Sequence, residues 1–394
     1  MRHISLGTLL ISETGKRYVN DALNNNRLSY GPYTRKFEQS FAELHECKHA
    51  IFMNSGTSAL QVALAALREV HKYQDMDEVL VPATTFIASS NIVLQNNMRP
   101  VFVDVDPNTF NIDPWLIEEK ITSRTRAIMP VHLLGLPADM TRIMPIARQY
   151  GLQVLEDSCE TVFSKCDGKT VGSFGDLGTF STYVNHLIVG GVGGLVTTND
   201  DKLAEISRSL LAHGRDSVYT QIDADNDLSG PKLLNIIERR FRFERVGYSY
   251  RATELEAAIA LSELEARDSN IKRRKQNAAH LIECLKDLQD FIQLPTIPKG
   301  FDHVFMMFPL VVKAGVIRDD LLLFMEERGI ETRYLMPLLS QPVYQKLFPG
   351  EDDKKPVAQS LARNGALIGI HQDLTFVDVV YISDVIHEYF KGQE

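Results

Sequence analysis

The stretch VGSFGDLGTFSTYVNHLIVGGVGG, residues 171–194, places a run of hydroxyl side chains, one histidine and a glycine-rich turn between two strand-like segments. Ser181 and His186 lie five residues apart, and four glycines follow between positions 190 and 194. A hydroxyl can bind an anion, an imidazole can move a proton near neutral pH, and glycine lets backbone approach a ligand closely. The pattern is typical of a cofactor pocket, and His186 is its candidate catalytic residue.

A second small-residue turn occurs earlier in the chain, at Asn54, Ser55, Gly56 and Thr57. Apolar residues repeat at helical spacing from Leu60 onward, so this turn is predicted to open a helix. The free amides and the positive dipole at a helix N-terminus suit a phosphate group. Alternatively, Ser55 and Thr57 only cap the helix, which is the commoner role of such residues.

Strand-like runs alternate with helix-length stretches such as residues 114–121 and 140–150. This alternation predicts an α/β fold with a large, mostly parallel sheet covered by helices. Ligands bind such sheets at the carboxyl ends of the strands, where residues 82–86, 157–160 and 181–186 are expected to lie. The strand-like runs are EVLVPATTF, RPVFVDVD, RAIMPVHLLG, LQVLEDSC, GTFSTY and GGLVTTND.

The chain has 394 residues, which exceeds one ordinary hydrophobic core and predicts two domains. Residues 1–255 contain the strand-like runs and form the predicted large domain. Within it, residues 216–244 are rich in charged and turn-forming side chains and are expected to form an exposed excursion, which is a candidate lid. Residues 256–394 begin with a long helical pattern and are predicted to form a smaller C-terminal α+β domain.

The composition is that of a soluble globular protein, with 44% hydrophobic and 24% charged residues. The formal net charge is -9, and there is no long basic run, so neither nucleic acid nor an anionic membrane is the expected partner. No apolar run approaches the roughly 20 residues of a membrane helix. Four scattered cysteines without metal-site spacing predict no metal centre and fit a reducing cytoplasm.

The order of the motifs along the chain resembles the DegT/DnrJ/EryC1/StrS family of pyridoxal-phosphate-dependent nucleotide-sugar aminotransferases. The resemblance covers nearly the entire chain and implies a type I aminotransferase fold. It also implies a homodimer with active sites shared at the subunit boundary. The motifs that carry it are GPYTRKFE, NSGTSAL, VPATTF, FVDVDP, LEDSCE, GSFGDLGTFS, GGVGGLVTTND, HGRD and GYSYRATELEAAIALSELE.

The resemblance assigns five residues to a pyridoxal phosphate cofactor. Gly56 and Thr57 would hold its phosphate through backbone amides, and Ser181 would add a hydroxyl. Phe86 would stack on the pyridine ring, a role that suits a flat apolar side chain. Asp157 would pair with the ring nitrogen, so that the ring accepts electrons. The alternative for Asp157 is a solvent-facing carboxylate in a turn.

Four further residues are assigned with alternatives. Glu160 would contact the cofactor's phenolic oxygen. Ser249 replaces the asparagine with which the family reaches the neighbouring subunit's cofactor phosphate, so its contribution is open. His213 in HGRD fits a substrate contact or a structural hydrogen bond equally well. Arg333 would hold the carboxylate of L-glutamate, since a guanidinium matches it with two hydrogen bonds, or it forms a surface ion pair.

The departure from the family is at His186, where its aminotransferases carry the lysine that binds the cofactor covalently. Imidazole cannot replace that lysine, so three functions are open. The protein is a dehydratase, an aminotransferase that works without the lysine, or a non-catalytic ligand-binding protein on the same fold.

A histidine at this position occurs in the family's sugar 3-dehydratase branch, and three other features resemble that branch. They are the run from Glu156 to Glu160, the polar excursion before residues 242–247 and the run NGALIGIHQ at residues 364–372. The cysteines do not cluster, so no iron-sulfur cluster is expected. We therefore expect C3 deoxygenation of a nucleotide-linked 4-keto-6-deoxy sugar, with pyridoxal and pyridoxamine 5'-phosphate as cofactor and glutamate as amino donor. RYLMPLLSQPVY, residues 333–344, keeps an aminotransferase-like pattern and leaves the substrate open.

Overall fold

The structure is a computed structural model that describes residues 2–8, 10–216 and 228–392. Its α-helices are α1 Glu13–Asn24, α2 Pro32–Leu44, α3 Gly56–His71, α4 Ile87–Gln95, α5 Met140–Tyr150, α6 Asp201–Leu211, α7 Gly230–Arg239, α8 Glu254–Cys284, α9 Arg318–Glu326, α10 Pro342–Leu347, α11 Pro356–Asn364 and α12 Phe376–Lys391. Its strands are β1 His49–Met53, β2 Glu78–Pro82, β3 Arg99–Val103, β4 Thr125–Ile128, β5 Gln153–Asp157, β6 Lys165–Cys166, β7 Lys169–Thr170, β8 Leu177–Ser181, β9 Gly194–Thr198, β10 Ile292–Gln293, β11 Phe308–Val312, β12 Thr332–Tyr334 and β13 Gly365–Ile368.

A large sheet has the strand order β1-β9-β8-β5-β4-β2-β3. Its neighbours from β8 to β3 run parallel, and β9 runs antiparallel to both β1 and β8. Strands β2 and β8 are buried at every position, as expected for a sheet covered on both faces. The predicted α/β architecture with a large, mostly parallel sheet is therefore confirmed.

Helix α3 lies at the centre of this part of the molecule and packs on α4, α6, β8 and β9. Its residues from Ala59 to Leu64 are all buried, so this part of the helix is enclosed on every face rather than along one stripe. The predicted helix at residues 114–121 is wrong. The chain forms two single 3-10 turns there, Pro114–Leu116 and Glu118–Lys120. A helix of eight residues would form too few hydrogen bonds to offset the unfavourable free energy of nucleation.

A smaller antiparallel sheet has the order β10-β11-β13-β12. It packs with α8, α9 and α12 around a core that includes Leu281, Phe308 and Ile382. The N-terminal segment also reaches this unit, since Ile4 pairs with Ile330. We keep the division into a large domain, 1–255, and a small domain, 256–394, as a proposal; its boundary falls in the first turn of α8.

The expected polar excursion, residues 216–244, lies partly outside the described residues, since 217–227 are not described. The described remainder contains α7. Asp216 is buried and pairs with Arg239 at 2.5 Å and with Arg242 at 3.4 Å. These ion pairs join the two ends of the excursion.

The N-terminus of α8 is joined to that of α2 by Glu254, which is 0% exposed. Its carboxylate accepts hydrogen bonds from the amides of Gly31 at 2.6 Å, Tyr33 at 2.9 Å and Thr34 at 3.0 Å, and from the Thr34 hydroxyl. Helix geometry leaves the first amides of α2 without backbone partners, and the helix dipole favours a negative charge there. Glu254 supplies both the acceptor oxygens for these amides and the negative charge.

We expect Glu254→Gln to lower the free energy of unfolding by about 2–3 kcal/mol, because the charge is lost and an NH2 group faces amide donors. Urea denaturation followed by circular dichroism measures the change. Glu256→Gln is the matched control, since Glu256 belongs to the exposed capping box of the same helix and its loss costs about 1 kcal/mol or less. Equal losses in the two variants would contradict this account.

Candidate active site

One cavity of about 360 Å³ lies where the carboxyl ends of β2, β5 and β8 meet the small sheet. As predicted, the segments that follow these strands supply much of its lining. The cavity brings together seven of the sequence-predicted site residues: Gly56, Thr57, Phe86, Asp157, Glu160, Ser181 and His186.

At one end of the cavity the N-terminus of α3 faces Ser181. Ser55 caps this helix, because its hydroxyl accepts from the Ser58 amide at 3.0 Å and its carbonyl accepts from Ala59 at 3.0 Å. The proposed capping role of Ser55 is thus confirmed, and the amides of Gly56 and Thr57 are left without a partner within the helix. This arrangement suits a phosphate.

Gly56 is required by close packing at this end. A Cβ atom added there would lie 2.8 Å from Ser181 Cβ and 2.9 Å from Cys159 Sγ. A larger residue would therefore displace the Ser181 hydroxyl from the helix N-terminus. The glycine keeps the backbone and the hydroxyl close enough to bind one anion.

Asp157 ends β5 and is 4% exposed, so the alternative of a solvent-facing turn carboxylate is wrong. Its Oδ2 accepts from the Ser89 hydroxyl at 2.7 Å, and its Oδ1 accepts from the Cys159 amide at 3.1 Å. Ser89 is in turn hydrogen-bonded to Thr85 at 2.8 Å. Each carboxylate oxygen has further lone pairs, so Asp157 can accept a ligand N–H from the cavity.

Phe86 is the residue before α4 and is 57% exposed. Its ring lines the cavity. A flat aromatic face left open at a cavity wall suits the stacking of a planar ring.

His186 is held by a hydrogen bond between its Nδ1 and the carbonyl oxygen of Cys159 at 2.5 Å. A carbonyl only accepts, so Nδ1 carries the proton and Nε2 carries the free lone pair. Burial, together with the charge of Arg274, lowers the pKa of His186 to about 4, below the value near 6.5 expected from the sequence. The ring is therefore a neutral base at pH 7, and its imidazolium is less accessible than predicted.

Glu160 is 7% exposed, and its Oε2 accepts from the Leu134 amide at 3.0 Å. Burial, and to a lesser degree the neighbouring Asp157, raises the pKa of Glu160 to about 7. A carboxyl group with this pKa is partly protonated at neutral pH and can donate a hydrogen bond into the cavity. The site thus contains a neutral histidine base and a carboxylic acid whose environments move their pKa values in opposite directions.

Arg333 lies in an adjoining cavity, also of about 360 Å³, that shares Phe86 and Asn185 with the first. Its guanidinium pairs with Glu331 at 2.6 Å, which is the ion pair that the sequence left as an alternative. His213 and Ser249 are exposed and do not line either cavity. Both are hydrogen-bonded to Arg251, at 3.1 Å and 3.2 Å, so they form one cluster apart from the described cavities of a single chain.

Sequence reasoning missed several groups at the site. Ser89 was missed although it follows the ATTF motif by one helical turn. Met306, Met307 and Met336 also line the cavity, and they come from the C-terminal part of the chain. No spacing signal in the sequence connects them to the site.

Two negative findings concern the described residues. No group of three or more His, Cys, Asp or Glu side chains there is arranged to hold a metal ion. Among the described helices, none combines the length and apolar character that crossing a membrane requires.

The parallel sheet, the helix N-terminus, the buried Asp157 and the open Phe86 ring form a site that suits a planar ligand carrying a phosphate. The chain belongs to the DegT/DnrJ/EryC1/StrS aminotransferase family, whose model matches residues 10–387. The predicted family is thereby confirmed. The family comprises pyridoxal-phosphate-dependent nucleotide-sugar aminotransferases and dehydratases.

Three known proteins illustrate the range of this family. The chain is 36% identical over 380 residues to a GDP-perosamine synthase of Caulobacter vibrioides, covering 95% of each chain. It is similar to the structure of E. coli GDP-4-keto-6-deoxy-D-mannose-3-dehydratase with bound hydrated PLP, with a TM-score of 0.88, 27% identity and coverage of 98% and 100%. A structure of GDP-4-keto-6-deoxymannose-3-dehydratase with a trapped PLP-glutamate geminal diamine has a TM-score of 0.87, 26% identity and the same coverage. The predicted type I aminotransferase fold is confirmed by these structures.

The raised pKa of Glu160 predicts a stability change with pH that needs no substrate. As pH rises from about 4.5 to 7, the unfolded chain loses this proton before the folded chain does, so the folded state loses stability. Glu160→Gln removes the free-energy cost of ionising this buried carboxyl group. It should stabilise the protein by about 2–3 kcal/mol at pH 8 and have little effect at pH 4.5.

Denaturation of the cofactor-free protein at the two pH values measures this difference. Glu118→Gln, on an exposed 3-10 turn, is the control and should show none. A Glu160→Gln effect that does not depend on pH would show that the carboxyl is ionised at pH 7.

Proposed function

We propose that the protein is a nucleotide-sugar 3-dehydratase that uses pyridoxal and pyridoxamine 5'-phosphate. The proposal rests on one observation: His186 occupies the cavity where the family's aminotransferases have lysine, and none of the described residues that line this cavity is a lysine. In the overall reaction, a nucleotide-linked 4-keto-6-deoxy sugar loses its C3 oxygen. Glutamate supplies the two electrons and becomes 2-oxoglutarate and ammonia.

The cavity fits the cofactor at each of its functional groups. The amides of Gly56 and Thr57 and the hydroxyl of Ser181 would hold the phosphate, Asp157 would keep the ring nitrogen protonated, and Phe86 would cover the ring. When bound, the cofactor supplies an amino group and an electron sink for the neighbouring carbon. A Cβ at position 56 would clash with Ser181 and Cys159, so the glycine keeps the Ser181 hydroxyl beside the N-terminus of α3, which supports the assignment.

His186 would transfer the protons of the reaction through Nε2. The hydrogen bond from Nδ1–H to Cys159 fixes the ring orientation and directs the lone pair away from the backbone. Because the neutral form is favoured at pH 7, the ring is ready to accept a proton at that pH. Having accepted it, His186 would donate it to the oxygen of the C3 hydroxyl group, which leaves as water.

Glu160 would complete the proton arrangement. Its carboxyl is partly protonated near pH 7 and would donate a hydrogen bond to the cofactor's phenolic oxygen. Cys159 lies between Asp157 and Glu160, so one short segment after β5 places the ring-nitrogen partner, the support of His186 and this acid. With an imidazole rather than an amine at position 186, no side chain there would displace the dehydrated product. That product would leave the cofactor and hydrolyse in water.

Arg333 is our candidate for the carboxylate of glutamate. It would have to exchange its contact with Glu331 for the substrate, and the exposed position of its guanidinium allows this. The adjoining cavity that contains Arg333 offers space for the sugar nucleotide next to Phe86.

We also propose a homodimer in which the cluster of His213, Ser249 and Arg251 completes the site of the partner. Support comes from its exposure and from its separation from the cavities of its own chain. A fully active monomer by light scattering would contradict this assembly. The four free cysteines are consistent with our proposal of a cytoplasmic enzyme.

An aminotransferase is the second candidate function. It is favoured by the 36% identity to a GDP-perosamine synthase and by the pattern of residues 333–344. The two functions differ in the fate of the amino group, which ends in ammonia for the dehydratase and in an amino sugar for the aminotransferase.

Incubation with glutamate, pyridoxal phosphate and a panel of nucleotide-linked 4-keto-6-deoxy sugars should give ammonia and a 3-deoxy sugar in equal amounts. His186→Asn should keep cofactor binding and lower the rate by roughly 100 to 10,000-fold, since it removes the proton-transfer nitrogen. His186→Lys should give a visible absorbance from covalently bound cofactor and shift the product toward an amino sugar. Mass spectrometry and an ammonia assay distinguish these products.

His280→Asn is the control, since His280 of α8 stacks on Phe376 of α12 and does not line the cavity. Formation of an amino sugar by the parent protein would favour the second function. A native deoxygenation rate in His186→Asn would show that His186 is a packing residue.

A further inference from the structure

Arg274 is one of the largest fully buried side chains in the described part of the chain, with 1% exposure. It lies on α8, and its hydrogen-bond partners are neutral oxygens. Nε donates to Gln372 Oε1 at 2.9 Å, and Nη1 donates to the carbonyls of Met306 at 2.9 Å and Phe305 at 3.3 Å. Its Nη2 is buried without a hydrogen-bond partner among the described residues.

Such a burial is costly for the fold. Removing a guanidinium from water requires compensation, and an unsatisfied N–H adds a penalty of its own. An apolar side chain of similar volume would be expected to cost less if packing were the only requirement. The retained charge at Arg274 therefore indicates a role beyond the stability of the core.

The backbone that Arg274 contacts forms part of the active-site wall. Val304 and Met306 donate their amides to Gly135 at 2.9 Å and Leu134 at 3.0 Å, while the carbonyls on the other side bind Arg274. Between these contacts Phe305 has φ 50°, a conformation that costs a non-glycine residue about 1–2 kcal/mol. The segment is thus held on two sides in a shape that it would not adopt alone.

This segment leads directly into the cavity. Met306, Met307 and Glu160 all line it. Glu160 also accepts from the amide of Leu134, the residue whose carbonyl holds the Met306 amide. Gln372 ends the NGALIGIHQ run that the sequence comparison with the dehydratase branch singled out. The guanidinium therefore links that run to the wall of the active site.

We propose that Arg274 is a positioning residue, which fixes the wall formed by residues 305–307 and places its positive charge behind the part of the cavity that contains His186. The second part rests on the proposed role of His186. The first part depends only on the observed contacts.

The charges around the two side chains agree with this role. His186 lines the same cavity as Asp157, Glu160 and Met306, and the Met306 carbonyl accepts from Arg274 at 2.9 Å. The ring of Tyr183 on the same loop lies 6.3 Å from that of His186. Burial and then the charge of Arg274 lower the pKa of His186.

Arg274 itself is near Glu263 on α8 and near His371 and Asp373 on the loop before α12. The pKa of His371 is lowered to about 4 by burial and by Arg274, and burial raises the pKa of Glu263 to about 7. Glu263 is thus partly protonated near pH 7, and the charge of Arg274 disfavours a second cation nearby.

Two variants separate the charge from the hydrogen bonds. Arg274→Gln removes the charge, so the NMR titration midpoint of His186, assigned by comparison with His186→Asn, should rise by roughly half a unit or more. Arg274→Lys keeps the charge but loses the planar fork, so the midpoint should stay low. In Arg274→Lys, the Kd of pyridoxal phosphate, measured by fluorescence, should rise about tenfold because the wall loosens.

Arg273→Gln is the matched control, because Arg273 is the preceding residue of α8 and donates to Leu374 at 3.1 Å. It should change neither measurement. Neither measurement requires turnover, so failure of the proposed dehydratase activity would leave this test intact. An unchanged midpoint in Arg274→Gln together with parental cofactor affinity in Arg274→Lys would overturn the proposal. If both variants fail to fold, a His186 midpoint near 6.5 in the parent protein would overturn it.

Discussion

The hydrogen bond from His186 Nδ1 to the carbonyl of Cys159 is the interaction on which the chemistry of this site depends. It joins the loop after β8 to the segment after β5, so the base is fixed to the same segment that carries Asp157 and Glu160. Without it, the imidazole could rotate and exchange the roles of its two nitrogens. With it, Nε2 is the only ring atom able to accept a proton.

This constraint explains how one fold can support two reactions. In the proposed assignment, Gly56, Ser181 and Asp157 would hold the phosphate and the ring nitrogen whether or not a lysine is present. The side chain at position 186 then decides whether the cofactor is bound covalently. A lysine there would compete for the cofactor's carbonyl carbon, whereas an imidazole leaves proton transfer as the main task. In the proposed function, one residue would therefore alter the chemistry while the fold is retained.

Much of the site could be predicted from local sequence patterns. The turn at Gly56 and the strand ends at Asp157 and Ser181 follow from periodicity and from the position of ligands in parallel sheets. The cavity confirms that they meet.

Contacts between distant elements could not be predicted in this way. Ser89 reaches Asp157 only after α4 packs on the sheet, and Arg274 approaches the site only after α8 packs against residues 305–306. The pKa of His186 depends on the same packing, which is why its reference value was a poor guide. Short elements were also difficult, as the 3-10 turns at residues 114–120 show.

The central claim is that His186 leaves the cofactor without a covalent link to the protein. The most direct test is to add pyridoxal phosphate to the purified protein, reduce with borohydride and measure the mass of the chain and its peptides. We expect the mass of the intact chain to be unchanged, because imidazole forms no stable bond that borohydride could trap. A peptide in which a reduced cofactor is attached to a lysine would contradict the account, since another side chain would then have taken over the function that His186 cannot perform.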